Sequence, residues 1–341
     1  MYKIIVAGCG MMAGKWIEIA QERADCEITA LVDINTDTAN ARKKEYNLNA
    51  NVYSNIATAL DNVDSNLVFD ITTPDAHFDV VTRSLKAGCH VFGEKPMSDK
   101  LELAEKMVEC SNETKKEYFV MQNRRYLPKL YALRKFLHAK QIGNIGQLSA
   151  NFQLDPHFGG FREEMESPLI ADMAIHTFDT ARFITGKNAV SVYCHEFNPS
   201  WSWYKGNASA VCIFEMEDGS VFDYRGSWCA NGLNTSWESE WRVACATGAA
   251  FWDGADNLYY DLTAEGEAKT GISGGNEITD AIKHIAAEPQ ELEGHDACVK
   301  EMFDALKSGT RPQTDCRDNI NSIRMVYKAI ESAKTKKIVT L

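Results

Sequence analysis

The fold of the chain is decided by residues 4–14, IIVAGCGMMAG. Four apolar residues are typical of a buried strand, and the glycines that follow predict a tight turn that opens a helix. Gly8 supplies a backbone free to adopt unusual angles, and Gly10 lacks a side chain, so a pyrophosphate can approach the N–H groups of the helix. Alone, G-x-G-x-x-A also fits a plain turn before a helix. From this pattern we expect Gly8, Gly10, Met11 and Met12 to bind a dinucleotide.

The second predicted strand, 27–32, ends at Asp33. A carboxylate about 20 residues after such a turn accepts hydrogen bonds from the adenosine ribose of NAD and repels the 2′-phosphate of NADP. We therefore expect NAD in preference to NADP, although Arg42 and Lys43 are close enough in sequence to keep NADP open. The alternative for Asp33 is that it caps the next turn.

Short apolar strands alternate with helix-length amphipathic segments from residue 1 to about 121. That alternation predicts an α/β fold that begins with a Rossmann domain, a doubly wound parallel sheet with helices on both faces. Its strands are expected at 3–7, 27–32, 67–71, 90–92 and 118–121. Longer strands and a hairpin turn at 217–220 then predict an α+β domain with a large, mostly antiparallel open sheet. The expected domains are 1–121, which binds NAD, and 122–341, which binds substrate.

Length, charge and cysteine usage narrow the class of protein. A chain of 341 residues is long enough for two domains, and its net charge of −12 opposes binding to nucleic acid because no extended basic stripe offsets it. Ten scattered cysteines without C-x-x-C pairs or Cys/His clusters predict free thiols in a reducing compartment and no metal site. No apolar run approaches the ~18 residues of a membrane span, and no signal peptide precedes the first strand. We expect a cytoplasmic protein with a small-molecule substrate and without nucleic-acid or membrane partners.

Two polar motifs follow predicted strands of the first domain. Thr72-Thr73-Pro74 precedes His77, and Glu94-Lys95-Pro96 follows the next strand. A hydroxyl before a proline is also a helix-capping pattern. Because the carboxyl ends of parallel strands face a cofactor in such sheets, we expect Thr72, Thr73, Pro74 and His77 to contact the cofactor. At the junction, Gln122 and Asn123 could contact nicotinamide or substrate, or form a polar hinge.

A helix predicted at 170–184 places Asp172, His176 and Asp179 on one face, because their spacing is four and three residues. A polar stripe with a histidine suits a cleft better than a core. The irregular segment 155–168 precedes this helix, and long loops in compact domains are commonly functional. It contributes Asp155 and Arg162 as candidate substrate contacts, with an exposed loop charge as the alternative for either residue.

The motifs together resemble the Gfo/Idh/MocA oxidoreductase family, named for glucose-fructose oxidoreductase and inositol dehydrogenase. The order and approximate spacing match over most of the chain, from the glycine turn and Asp33 to the stretch 172–176, DMAIH. The resemblance implies that Lys95 is catalytic and lies beside the nicotinamide, with a cis peptide before Pro96, and that Asp172 and His176 belong to the active site. With this resemblance, Glu94, Lys95 and Gln122 are also expected cofactor contacts. Residues 167–170 depart from the glycines usual in the family, which puts the identity of the substrate in doubt.

The implied reaction is hydride transfer between nicotinamide and a secondary hydroxyl or ketone of a sugar, sugar derivative or cyclitol. His176 is the candidate base because an imidazole titrates near neutrality. Lys95 would stabilise the developing alkoxide, and Asp172 would orient the hydroxyl or His176. The expected substrate contacts are Lys95, Asp155, Arg162, Asp172 and His176. Two alternatives stay open, an NAD-dependent glycoside hydrolase that oxidises its substrate transiently and a non-catalytic dinucleotide-binding regulator.

Six of the seven tryptophans lie between residues 201 and 252, in the region of the predicted open sheet. They could stack on sugar rings, but aromatic side chains on an open sheet more often fill a core or a subunit interface. We therefore also expect a homo-oligomer that associates through this sheet.

Overall fold

The computed structural model describes residues 1–262 and 282–341. They divide into two compact units, Met1–Asn123 with Leu292–Ile323, and Arg124–Glu291 with Arg324–Leu341. The expected boundary assigns all of 122–341 to the second domain, whereas the structure groups the late segment 292–323 with the first unit. The first unit is therefore built from two separate stretches of the chain.

Six parallel strands form the sheet of the first unit. They are β1 (Tyr2–Ala7), β2 (Cys26–Val32), β3 (Asn51–Tyr53), β4 (Leu67–Asp70), β5 (His90–Gly93) and β6 (Tyr118–Val120). Their order across the sheet is β3-β2-β1-β4-β5-β6, which confirms the Rossmann prediction. The prediction of five strands omitted β3, an edge strand of three residues that is too short to give a periodic signal.

Ten α-helices lie in the described residues. They are α1 (Ala13–Gln21), α2 (Thr36–Glu45), α3 (Ile56–Asn62), α4 (His77–Lys86), α5 (Leu101–Thr114), α6 (Pro128–His138), α7 (Phe161–Glu164), α8 (Ile175–Thr185), α9 (Gly294–Ser308) and α10 (Cys316–Thr335). None of the described helices has both the length and the apolarity needed to cross a membrane.

An aromatic cluster forms the core of the first unit. Phe69, Phe92 and Phe119, from the adjacent strands β4, β5 and β6, stack with centroid distances of 5.8 and 5.6 Å. Phe303 of α9 meets Phe92 edge-on at 5.0 Å and lies 5.0 Å from Tyr2 of β1. Because aromatic burial contributes strongly to stability, the late helix α9 is an integral part of this core.

Nine strands form the sheet of the second unit. They are β7 (Ile145–Gln153), β8 (Ala189–Phe197), β9 (Ser209–Met216), β10 (Val221–Ser227), β11 (Glu240–Cys245), β12 (Gly248–Trp252), β13 (Leu258–Leu262), β14 (Lys283–His284) and β15 (Val339–Thr340). The order is β14-β13-β12-β11-β7-β10-β9-β8-β15, and β7 and β10 are its parallel pair. A large, mostly antiparallel sheet is thus confirmed.

The helix predicted at 170–184 has two parts in the structure. Leu169–Ala174 forms a π-helical turn, and α8 follows it directly. The expectation of one regular α-helix is therefore wrong at its start, because a π-helix is wider than an α-helix and shifts side chains around the axis. Within α8, Phe178 packs on Phe214 and Tyr224 at 4.8 and 5.3 Å, which fixes the helix against the sheet.

Candidate active site

The glycine turn after β1 combines one crowded glycine with one open glycine. Gly8 has a φ of +88°, and a Cβ on it would lie 2.3 Å from the carbonyl oxygen of Ile71. A Cβ on Gly10 would meet nothing within 4 Å, and Met11 and Met12 beside it are exposed. Gly8 therefore shapes the turn, and Gly10 leaves the start of α1 accessible to an anionic group.

A carboxylate and a guanidinium border this turn. Asp33, directly after β2, accepts hydrogen bonds from the backbone N–H of Cys9 at 2.9 Å and of Asn35 at 2.8 Å. Arg42 of α2 donates to the carbonyl oxygens of Cys9 and Gly10 at 3.2 and 2.9 Å. Both side chains are thus held at fixed positions beside the turn.

Thr72 and His77, two of the expected cofactor contacts, are both bonded to Asp70. The Thr72 hydroxyl donates to Oδ1 of Asp70 at 2.6 Å, and Nδ1 of His77 lies 2.7 Å from its Oδ2. Burial acts to lower the pKa of His77, but the charge and hydrogen bond of Asp70 outweigh burial and raise it. This buried pair fixes the loop after β4, in which Thr73 is exposed and Pro74 is half-buried.

Glu94 and Lys95 directly follow β5. Nε1 of Trp16 donates to Oε1 of Glu94 at 2.9 Å, and the backbone N–H of Lys95 donates to Oε2 at 3.3 Å. Glu94 is buried, Lys95 is half-buried, and the peptide bond to Pro96 is cis, as the resemblance implies. A residue of α1 thus anchors the motif that carries Lys95.

The end of β6 contributes two amides. Gln122 is 1% exposed, and its Nε2 has no hydrogen-bond partner in the part of the chain described. Nδ2 of Asn123 lies 3.3 Å from Nδ1 of His295 in α9. Sequence reasoning did not single out His295, because its partner is 172 residues away in the chain. A buried amide without a partner is a group that a bound ligand can satisfy.

These residues fit a dinucleotide along the carboxyl edge of the sheet. Neighbouring strands end in Asp33, the glycine turn, Thr72, Lys95 and Gln122. The open side of Gly10 accommodates a pyrophosphate, and the Gln122 amide offers a donor to a polar group. Among residues 1–262 and 282–341, no group of three or more His, Cys, Asp and Glu side chains is placed to hold a metal ion.

In the second unit, the π-helical turn carries Asp172. Nε of Arg162 donates to Oδ2 of Asp172 at 2.6 Å, and the guanidinium carbon lies 5.2 and 4.8 Å from the rings of Phe158 and Phe161. His176 follows one turn later, near the start of α8, and is 9% exposed. The structure therefore joins Arg162 to Asp172 and places His176 on the adjoining turn.

The other two acidic candidates of this unit have local partners. Asp155 accepts from Nδ2 of Asn234 at 2.7 Å. Asp179 is buried and accepts from Nε and Nη2 of Arg125 at 2.7 and 2.6 Å. Although Asp179 has the expected spacing from His176, its carboxylate is a structural partner of Arg125.

Family models account for most of the chain. Residues 2–122 match the Gfo/Idh/MocA model described as an oxidoreductase family with an NAD-binding Rossmann fold. Residues 130–251 match the model of the Gfo/Idh/MocA C-terminal domain. His295 and the rest of α9 lie outside both matches.

Individual relatives are consistent with these family-model matches. An uncharacterized protein of Sinorhizobium fredii is 26% identical over 98% of this chain and 94% of its own length. Inositol 2-dehydrogenase of Rhizobium meliloti is 28% identical over 64% of this chain and 61% of that enzyme. A solved oxidoreductase from Agrobacterium radiobacter, in complex with NAD⁺, L-tartaric acid and magnesium, superposes with a TM-score of 0.85 at 18% identity, covering 99% of this chain and 98% of its own. The chain belongs to the Gfo/Idh/MocA oxidoreductase family, and its first unit contains the family's NAD-binding Rossmann domain.

Proposed function

We propose that the protein transfers a hydride between NAD and a secondary hydroxyl or ketone of a sugar, sugar derivative or cyclitol. The observation that carries the proposal is the fixed position of Lys95 after β5, where Trp16 and Glu94 hold the motif. The partial likeness to inositol 2-dehydrogenase supports a polyhydroxylated substrate.

The catalytic residues in this proposal are Lys95, Asp172 and His176. NAD supplies the hydride acceptor for oxidation. His176 takes the hydroxyl proton, and Lys95 stabilises the negative charge that develops on the oxygen. Asp172 orients the hydroxyl or His176. Arg162, bonded to Asp172 at 2.6 Å, fixes that carboxylate and contributes a substrate contact together with Asp155.

The cofactor in this proposal is NAD rather than NADP. Support comes from Asp33, whose carboxylate is held by two backbone N–H groups beside the glycine turn. Arg42 also borders the turn, but its guanidinium already donates to two carbonyl oxygens and to Glu45 at 2.7 Å. A 2′-phosphate would therefore meet a carboxylate and an engaged arginine.

We also propose a homo-oligomer that forms through the open sheet. Cross-strand neighbours Tyr193 and Ile213 are 41% and 49% exposed, and Phe197 and Val211 extend the same exposed face. A contiguous apolar patch of this kind is typical of a protein interface. Light scattering should give a multiple of the 38.1 kDa chain mass, and Ile213→Lys should shift the mass toward the monomer.

The cytoplasm is the compartment we propose, because all ten cysteines are free thiols. Sγ of Cys194 lies 3.3 Å from Sγ of Cys212 on the neighbouring strand. A reducing compartment keeps such closely spaced thiols reduced.

The test follows NADH absorbance while NAD⁺ is offered with a panel of sugars, cyclitols and glycosides. We expect NADH to accumulate with at least one sugar or cyclitol. Lys95→Met and His176→Ala should each lower kcat by roughly 10²- to 10⁴-fold, whereas Lys100→Met, on an exposed lysine nearby, should leave it unchanged.

Glycoside cleavage is followed in the same samples. Cleavage without net NADH would replace the dehydrogenase with an NAD-dependent hydrolase. A wild-type protein that binds a dinucleotide but acts on no member of the panel, with a biological role that survives Lys95→Ala and His176→Ala, would instead be a regulator.

A further inference from the structure

In the first unit, a hydrogen bond places the imidazole of His295 beside the end of β6. Its Nδ1 lies 3.3 Å from Nδ2 of Asn123. An amide nitrogen only donates hydrogen bonds, so Nδ1 of His295 accepts and the neutral ring carries its proton on Nε2. A protonated His295 would place two donors against each other and lose this contact.

Contacts at the start of α9 and farther along it hold this helix in place. Nζ of Lys15, in the first turn of α1, lies 2.8 Å from Oδ1 of Asp296. Further along α9, Phe303 packs on Phe92, two residues before Glu94, and the guanidinium carbon of Arg23 lies 4.0 Å above the Phe303 ring. His295 is therefore a fixed part of the first unit.

The order of the strands identifies which end of the dinucleotide His295 faces. Asp33, the ribose-binding residue of the adenosine half, follows β2, and the glycine turn for the pyrophosphate follows β1. The nicotinamide half then extends in the opposite direction, toward the ends of β5 and β6. Lys95 follows β5 and Asn123 follows β6, and His295 is hydrogen-bonded to Asn123.

We propose that His295 forms part of the nicotinamide end of the dinucleotide site and makes the preference between the oxidised and the reduced cofactor depend on pH. The inference rests on the dinucleotide site of the proposed function. It goes beyond that function because α9 lies outside both matched family regions.

The physical basis is the charge of the cofactor ring, which is positive in NAD⁺ and absent in NADH. The charged groups that face His295 are Glu94, Asp296, Lys15 and Lys95, two of each sign. A neutral His295 leaves this balance unchanged, whereas a protonated His295 adds a third cation to Lys15 and Lys95 and opposes NAD⁺ more than NADH. Burial lowers the pKa of His295, and the two lysines act in the same direction, while the two carboxylates act in the opposite direction. Because the net effect lowers the pKa, the ring is neutral at neutral pH and becomes charged only in acid.

The experiment measures the dissociation constants of both cofactors on the full-length protein between pH 7.5 and 5.0. NADH binding is followed by fluorescence and NAD⁺ binding by displacement of NADH, so no substrate is needed. In the wild type, we expect the ratio of the NAD⁺ constant to the NADH constant to rise about tenfold as the pH falls, because one unit charge is added near the ring.

His295→Asn keeps an acceptor for Asn123 but cannot become a cation, so its ratio should stay flat across the range. The control is His90→Asn at the opposite end of β5, where Nδ1 of His90 accepts from the N–H of Glu117 at 3.0 Å. This variant should follow the wild type.

A pH-independent ratio in the wild type, or a His295→Asn ratio that rises as in the wild type, would overturn the inference and leave the dinucleotide site intact. Absence of binding by the wild type at every pH would overturn the dinucleotide site as well.

Discussion

Arg125 and Asp179 form a bidentate ion pair inside the second unit, with distances of 2.7 Å from Nε to Oδ2 and 2.6 Å from Nη2 to Oδ1. Their side chains are 7% and 2% exposed. Arg182 adds a second guanidinium 3.7 Å from Oδ1 of Asp179. The Asp179 carboxylate therefore neutralises buried positive charge and stabilises the fold rather than contacting a substrate.

Replacing Asp179 with Ala should destabilise the protein by about 3–5 kcal/mol, because it leaves a buried guanidinium without its counter-charge. Urea unfolding monitored by circular dichroism measures the change. Asp256→Ala, which removes the exposed partner of Lys129, is the control and should leave the unfolding midpoint unchanged. Equal effects of the two substitutions would contradict the structural role of Asp179.

The two glycines of the first turn should respond differently to an added methyl group. Gly8→Ala places a Cβ against the Ile71 carbonyl and forces a strained φ, so it should cost at least about 2 kcal/mol of stability. Gly10→Ala should change stability by less than about 0.5 kcal/mol but weaken NADH binding roughly tenfold or more, because the methyl occupies the open side of the turn. Thermal unfolding and NADH fluorescence separate the two effects. A Gly10→Ala protein that binds NADH normally would place the pyrophosphate elsewhere.

Cofactor preference should depend on the charge of Asp33. Asp33→Asn removes the repulsion of a 2′-phosphate while Arg42 stays beside the turn, so the affinity for NADPH relative to NADH should rise roughly tenfold. Asp37→Asn, in the first turn of α2, is the matched control and should leave the preference unchanged. If the wild type already favours NADPH, the assignment of Asp33 is wrong.

Glu196 of β8 should make stability depend on pH. Burial raises its pKa to about 7, although the hydroxyl of Ser167 donates to Oε2 at 3.0 Å. Because the folded state holds this proton more tightly than the unfolded chain, its stabilising effect is complete below the ordinary carboxyl pKa and is lost as the pH rises through about 7.

The substitution Glu196→Gln should therefore stabilise the protein at pH 8 by about 3 kcal/mol relative to its effect at pH 4.5. Chemical unfolding at both pH values measures the difference. Glu215→Gln, on the exposed face of the neighbouring strand β9, is the matched control variant. A constant effect of Glu196→Gln at both pH values would show that its carboxyl does not titrate abnormally.

The sequence was sufficient for the features that depend on short-range patterns. The run 4–14 predicts β1, the turn and α1, and the structure has all three. The hairpin turn at 217–220 likewise predicts that β9 and β10 pair in the antiparallel sense, and the structure has this pair. The family resemblance also identifies the site motifs, because the residues of each motif are close together in the sequence.

Other features depend on contacts that a local pattern does not contain. The π-helical turn at Leu169–Ala174 has the same apolar spacing as the start of an α-helix. Asp70 lies within an otherwise apolar strand, and only the fold brings its carboxylate to His77. His295 and Asn123 meet across 172 residues of chain, so periodicity and motif spacing contain no signal for the pair.

The late placement of α9 affects how the chain emerges from the ribosome. Phe303 packs on Phe69 of β4 and Phe92 of β5, but it is made only after the whole of 124–291. At about 5–20 residues per second, synthesis of that intervening stretch takes roughly 10–30 s. Throughout this interval the nascent first unit carries an incompletely covered aromatic surface, so the period of greatest need for a chaperone falls between the synthesis of β6 and that of α9.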